Sequence, residues 1–360
     1  MEKKMNLDLL KRLCETPGVP GREERLRTLI SKEVEGLFDD VRTDPMGSLI
    51  CTRHPRADGK TSAAAAAATS VLLLSHMDEI GFYVKHIDDR GFVRVNAAGG
   101  FDTRNLFSRR VLVSTADHGD LRGVMNPGGK PVHIASAEDK KKVPEISEFF
   151  IDLGFDADNV KEMVAIGDMV TLDEPFMEAG DKVVSKALDN RIACWLGIEC
   201  VRAIAKAQTP HSCRITVAFT VQEEVGLRGA RTASFGVAPD IAVGLDVTLA
   251  CDTPGVPDED RVTKQGNGVG LHMMDGSFIS DHGLVLELEA VAKEHGIKAQ
   301  RTILSRGGQD GAAGQQAGSG ARAIGLVVGT RYIHTVTEMA SKSDIAAARD
   351  LLTSWLPAVG

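Results

Sequence analysis

Aromatic residues make up only 4% of this 360-residue sequence, with two Trp and two Tyr. So few rings leave no extended platform on which unpaired bases could stack. A basic excess is missing as well: 42 Lys and Arg stand against 50 Asp and Glu, a formal charge of −8. Nucleic-acid binding rests on such an excess, so no nucleic-acid partner is expected. Six cysteines, at positions 14, 51, 194, 200, 213 and 251, include no CxxC pair. Several lie in apolar segments, where a free thiol acts as a small hydrophobe, and reduced thiols in a cytoplasmic protein are the expectation. No apolar stretch reaches the length of a membrane span, and the opening MEKKMNLDLLKRL lacks an apolar core with a small-residue cleavage site. Neither a membrane partner nor export is expected.

Glycine is plentiful, at 37 residues, and much of it flanks short apolar runs, as turns between strands and helices require. Four of those runs are VLLL (71–74), ITVAFTV (215–221), IAVGL (241–245) and IGLVV (324–328). Each ends beside a potential ligand. His76 and Asp78 follow the first, Glu223 and Glu224 the second, Asp246 the third, and His334 lies beyond the fourth; Asp189, in KALDNR, opens a helix. Ligands of open α/β sheets bind outside the carboxyl ends of the strands, where side chains remote in sequence converge. Two His and several carboxylates gathered there suit zinc, cobalt or manganese.

A chain of this length predicts two domains, or one carrying a large insertion. Helical spacing over 6–14 and 22–38, separated by TPGVPG, predicts an opening pair of helices. A strand over 48–52 then meets HPRADGKTSAAAAAATS, read as a variable loop; the role of its six Ala (63–68) is open. From Gly81 to about Phe176, short alternating segments between Gly- and Asp-rich turns predict a small β-barrel or sandwich. The α/β pattern resumes at KVVSKALDNR. Ile192, Trp195, Leu196, Cys200 and Ala203 keep helical spacing, which predicts a helix from Asp189, and further helices are expected near 283–295 and 342–356. The resulting architecture is an α/β domain, a mixed sheet sandwiched by helices, formed by 1–77 and 178–360 and interrupted by a β domain over 78–177.

Asp189 has two carboxylate oxygens and could bridge two ions, leaving His76 and Asp246 for one, Glu224 and His334 for the other. Such a pair, about 3.5–4 Å apart, would activate a water and polarise a carbonyl, the machinery of peptide hydrolysis. Asp78, two residues after His76, could accept the second ring N–H of that histidine and fix its orientation. Glu223 could act as general base. Taken singly, each residue has a plainer reading: Asp189 a helix cap, His76 a core histidine, Glu223 and Glu224 a solvated strand end. The remaining histidines singled out, His54, His86, His118, His133, His211, His282 and His295, read as surface residues.

HMDEIGF, KALDNR, TVQEEVGLRGA, GLDVT, RGGQDGAA and RYIHTVTEMAS, in this order, resemble the successive motifs of the dinuclear-metal TET-type aminopeptidases, a family also labelled glutamyl aminopeptidase or endoglucanase. The resemblance runs from TPGVPGREE to the last helix, with Gln309 standing where Thr is more usual. It implies a zinc-peptidase-like fold with an inserted PDZ-like β-barrel used in dimerisation. It also implies two divalent ions, zinc or cobalt, with His76, Asp189 and Asp246 on one and Asp189, Glu224 and His334 on the other. Glu223 aligns with the catalytic base. Assembly of dimers into a dodecamer that admits short peptides is implied too. The alternatives are a related metal-dependent deacylase or carboxypeptidase, a glycoside hydrolase using Glu223 and Glu224, and a non-catalytic assembly protein. The preferred N-terminal residue and the physiological metal are left open.

Overall fold

The computed structural model describes residues 5–57, 60–61 and 68–360. All of the Ala-rich stretch but Ala68 falls outside them. The four apolar runs form four adjacent parallel strands, in the order Arg214–Thr220, Ser70–His76, Ile241–Leu249 and Arg322–Arg331. Parallel strands are covered on both faces, which is why these read as continuous apolar runs. Every residue of Ser70–His76 is buried.

Antiparallel strands widen the sheet on both sides. Leu49–Arg53 and Asp40–Thr43 extend it past Arg214–Thr220; Glu338–Ser341, Lys182–Ser185 and Met177–Ala179 extend it past Arg322–Arg331. Val269–Met274 pairs antiparallel to Arg322–Arg331 and carries Ala299–Ile303 at its side. Among the described residues this mixed sheet has eleven strands.

Successive side chains of a strand point to opposite faces, and the first parallel strand shows both. Val71 and Leu73 pack into a core with the helices Leu7–Glu15, Leu188–Ala207 and Lys342–Trp355. Leu72 and Leu74 face the other way, onto Ala230 and Ala233 of Arg228–Val237 and Ala313 of Asp310–Gln315. The two Trp are fully buried in the larger core, and each finds an acceptor: Trp195 Nε1 donates to the Asn6 carbonyl (2.9 Å), Trp355 Nε1 to Glu287 (2.7 Å). Gly244 and Gly325 pair across adjacent strands, and a Cβ on either would collide with the Gln309 side chain, at 1.9 and 2.2 Å. These glycines are what lets the loop before Asp310–Gln315 lie flat on the sheet.

Between His76 and Met177 the chain leaves the sheet and forms a closed six-stranded barrel from Gly81–Ile87, Val93–Ala98, Arg109–Ser114, Asp120–Pro127, Phe149–Asp152 and Met169–Leu172. Alternate side chains fill it, including Phe82, Val84, Val93, Val95, Val111, Val113, Met125 and Ile151. A buried ion cluster ties its entry to the sheet domain. Glu79 accepts from Lys186 Nζ (2.6 Å) and Arg191 (3.3 Å), while Arg191 also donates to the carbonyls of Leu13 and Thr16. No helix among the described residues is long and apolar enough to cross a membrane.

Two expectations need correction. The helix expected from Asp189 spans Leu188–Ala207, but Asp189 and Asn190 have non-helical φ/ψ, so regular helix starts after them. Asn190 supplies the cap: its Oδ1 accepts the Ala193 N–H at 3.2 Å. His211 is buried rather than superficial, with its Nδ1 2.9 Å from the Cys213 carbonyl oxygen.

Candidate metal centre

Strand register brings the candidate residues to one level. His76 ends its strand beside Thr220, so Glu223 and Glu224 start from the same edge; Gly244 pairs with Leu74, each two residues short of Asp246 and His76. Asp189 is released from helix geometry because Asn190 takes over capping, and Asn190 Nδ2 also donates to the Leu245 carbonyl (2.9 Å), one residue before Asp246. His334 arrives on the loop after Arg322–Arg331.

All six converge. Asp189 presents one oxygen to His76 Nε2 (3.3 Å) and the other to His334 Nε2 (3.5 Å). His76 Nε2 also lies 3.9 Å from Glu223 Oε2 and 4.0 Å from Asp246 Oδ1, and His334 Nε2 lies 3.4 Å from Glu224 Oε2. One donor atom each from His76, Asp189 and Asp246 falls within a mutual 4.8 Å, and the same holds for Asp189, Glu224 and His334 and for His76, Glu223 and Glu224.

Electrostatics show what the cluster requires. Burial raises the Glu223 carboxyl well above its usual range, opposed by His76 and reinforced by Glu224 and Asp246. Burial raises Asp246 likewise, and Glu224 by less. Burial works against charge on His76, yet Glu223, Asp189 and Asp78 outweigh it and lift its pKa; Asp189 and Glu224 lift His334 to about 11 against the same penalty. Asp189 moves down, because hydrogen bonds from the two imidazoles exceed its own burial cost. Four acids and two imidazoles share this mostly buried site, and this N/O donor set fits divalent metals.

Two further carboxylates hold the backbone of this cluster. Asp78 Oδ1 and Oδ2 accept the N–H groups of Glu223 and Glu224, both at 3.0 Å. The closer acceptor for His76 Nδ1 is the Asp78 carbonyl oxygen at 3.1 Å, with the Asp78 carboxylate at 3.6 Å. Glu338 accepts the N–H of Asp189 at 2.9 Å and of His334 at 2.8 Å. Sequence reasoning passed over Glu338; its signal is an acid four residues after His334 at the head of a buried strand. Asp310 was passed over as well: buried under the site, it accepts from the Thr220 hydroxyl, and burial pushes its carboxyl up to about 6.

The backbone around the site departs from ordinary conformations. Ala187 (φ 58), Gln222 (φ 57), Leu227 (φ 57), Tyr332 (φ 60) and His334 (φ 65) all adopt the left-handed region, sparsely used by non-glycine residues and found where surroundings over-determine the chain. Beside the six residues opens a cavity of about 580 Å³, walled by Leu227, Val247, Leu249, Leu304 and Ile333, with Arg306 among its lining residues. It offers a largely apolar seat next to a polar reaction centre.

The chain is similar to known proteins along almost its whole length. The family profile described as M42 glutamyl aminopeptidase matches residues 59–351. The lysyl aminopeptidase of Pyrococcus furiosus is 30% identical over 344 residues, covering 94% of this chain and 93% of its own. The TET aminopeptidase structure from a marine-sediment Thaumarchaeota archaeon superposes with a TM-score of 0.90 at 30% identity, over 98% of this chain and 95% of that one. The TET1 peptidase of Pyrococcus horikoshii, described as assembling into a tetrahedron or a large octahedral shell, superposes with a TM-score of 0.84 at 28% identity, over 97% and 98%.

Proposed function

The chain belongs to the M42 glutamyl aminopeptidase family, and from that premise we propose that it is a two-metal aminopeptidase, releasing residues from the N-termini of short peptides with Glu223 as general base. His76 and Asp246 would hold one ion, Glu224 and His334 the second, and Asp189 both. The observation that carries this reading is Asp189, whose two oxygens face different histidines at 3.3 and 3.5 Å. Zinc or cobalt bound there would lower the pKa of a water and polarise the scissile carbonyl.

The rest falls to the side chains. Glu223 receives no hydrogen bond from a protein side chain among the described residues, and it lines the cavity. It would take one proton from the attacking water as oxygen bonds to the carbonyl carbon, and return it to the amine as the C–N bond breaks. Asp78 holds the Glu223 and Glu224 backbones, and so directs both carboxylates. The acid-rich wall suits the positive charge of a free α-amine. The segment 78–177 would be the dimerisation insert and 1–77 with 178–360 the catalytic unit. Dimers would assemble as a dodecamer, a reading supported by the likeness to the shell-forming TET1 peptidase, and the protein would act in the cytoplasm.

Hydrolysis of a panel of aminoacyl p-nitroanilides tests the reading. A chelator should abolish turnover, and added zinc or cobalt should restore it. Glu223→Gln should keep its metal by elemental analysis while losing about 10²–10⁴ in kcat. Activity untouched by chelation, or confined to N-acetylated substrates, would overturn the proposal in favour of a metal-free hydrolase or a deacylase.

A further inference from the structure

Glu338 stands at a junction. It is the first residue of Glu338–Ser341 and pairs with Ser185, the last residue of the Lys182–Ser185 strand, from which the chain runs on to Asp189. Its side chain, 2% exposed, has both oxygens engaged: Oε2 accepts the Asp189 N–H and Oε1 the His334 N–H. Those two segments share no sheet pairing with each other at this point. Asp189 lies in the non-helical start of its helix after left-handed Ala187, and His334 is itself left-handed, so neither amide has a regular secondary-structure partner. Glu338 satisfies both amides at once.

We infer that Glu338 is a positioning residue, clamping together the backbones of Asp189 and His334 so that their side chains are set for one shared metal ion; the inference rests on the two-metal reading above. Its chemistry must be that of a carboxylate. Two N–H donors converge on it, and an amide of the same shape would offer one acceptor oxygen and turn an NH₂ donor against the other N–H. Asp78 makes the equivalent clamp on Glu223 and Glu224, so each pair of loop-borne residues has its own buried acid.

The fold provides an internal control. Asp344 is equally buried, at 1% exposure, and also accepts two backbone N–H groups, those of Gly266 (2.7 Å) and Gly268 (2.9 Å). Those glycines turn into the Val269–Met274 strand, and none of the three lines the metal-centre cavity. Glu338→Gln and Asp344→Asn therefore make the same chemical change with and without the site. Zinc affinity of the full-length protein, by calorimetric titration of the metal-stripped form, is compared with its thermal midpoint.

Glu338→Gln should weaken the zinc equivalent held with His334 about 10–100-fold, the usual effect of removing a group that orients a ligand, and the other equivalent, which shares only Asp189 with it, by less. Asp344→Asn should lower the thermal midpoint and leave both equivalents at wild-type affinity. Glu338→Asp, which keeps two acceptor oxygens on a shorter arm, should recover part of the affinity; it also serves should the Gln variant fail to fold. Wild-type affinity for both equivalents in Glu338→Gln, or an equal loss in Asp344→Asn, would overturn the inference alone. A wild-type protein that takes up no divalent ion would overturn the two-metal reading, and this inference with it.

Discussion

The two halves of the candidate centre are built differently. His76 and Asp246 sit on strands of the parallel sheet, at its edge, with side chains 2% and 9% exposed. Glu224 and His334 sit on loops, the first after left-handed Gln222, the second itself left-handed and 34% exposed. His76 is paired with Thr220 and Asp246 with Val327, so each inherits its position from a neighbouring strand. A side chain on a loop must be held by other means, and here the means are visible: Asp78 under Glu224, Glu338 under His334. The barrel adds a third support. Val336, two residues after His334, is buried in the barrel core, and Gly100 lies against the imidazole, where an added Cβ would sit 3.7 Å from Nδ1. The strand half is thus preformed by the fold, and the loop half is assembled from separate parts.

Removing one histidine from each half gives the sharpest contrast. His76→Ala should empty the strand half and, through shared Asp189, unsettle the other, with kcat/KM falling by about 10³-fold or more, as expected where a metal supplies several kcal/mol to the transition state. His334→Ala should retain one ion per subunit after dialysis, counted by elemental analysis. Equal metal content in the two variants would break the comparison.

The same contrast decides what could be read from the sequence. The strand half was legible because residue and strand are contiguous: VLLL leads straight to His76, and IAVGL straight to Asp246. The loop half was placed by the order of its motifs more than by any periodicity, since nothing in TVQEE or RYIHT records the left-handed turns that aim Glu224 and His334. Asp189 shows a subtler failure. Its place among the candidate ligands was read, but helical spacing from Ile192 extends backward without a break, and the residue type of Asn190, an equally good cap, does not disclose that regular helix starts only after it. Glu338 was invisible for a general reason: it binds backbone N–H groups, and the direction of a backbone amide in a loop is not written in residue identity. The barrel was legible as alternating strands, with closed barrel and sandwich left as alternatives, because closure depends on the pairing of Phe149–Asp152 with both Val93–Ala98 and Asp120–Pro127.

Stripping the metals sharpens the comparison at a smaller scale. An ion bound only by the folded state adds about 2.7 kcal/mol to stability at a free concentration 100 times its Kd and about 4.1 kcal/mol at 1,000 times. A chelator titration followed by scanning calorimetry should therefore remove stability in two steps. The first should come from the loop half, whose histidine is the more exposed, and the second from the strand half. A single step losing both ions together would show that Asp189 couples the halves too tightly for them to be distinguished.

The smallest expected effect concerns the barrel as a support. Val336→Ala removes two buried methyl groups from a contact between the His334 loop and the barrel core, about 2 kcal/mol of burial and cavity cost. If the barrel acts only as a separate module, that loss should appear in denaturant unfolding and nowhere else. If it seats the loop half, affinity for one metal equivalent should also fall by a few fold, while the strand-half equivalent stays unchanged. Because Val336 packs in the barrel core two residues after His334, a selective change in one equivalent would be carried by the His334 loop, and its absence would return the barrel to a purely architectural role.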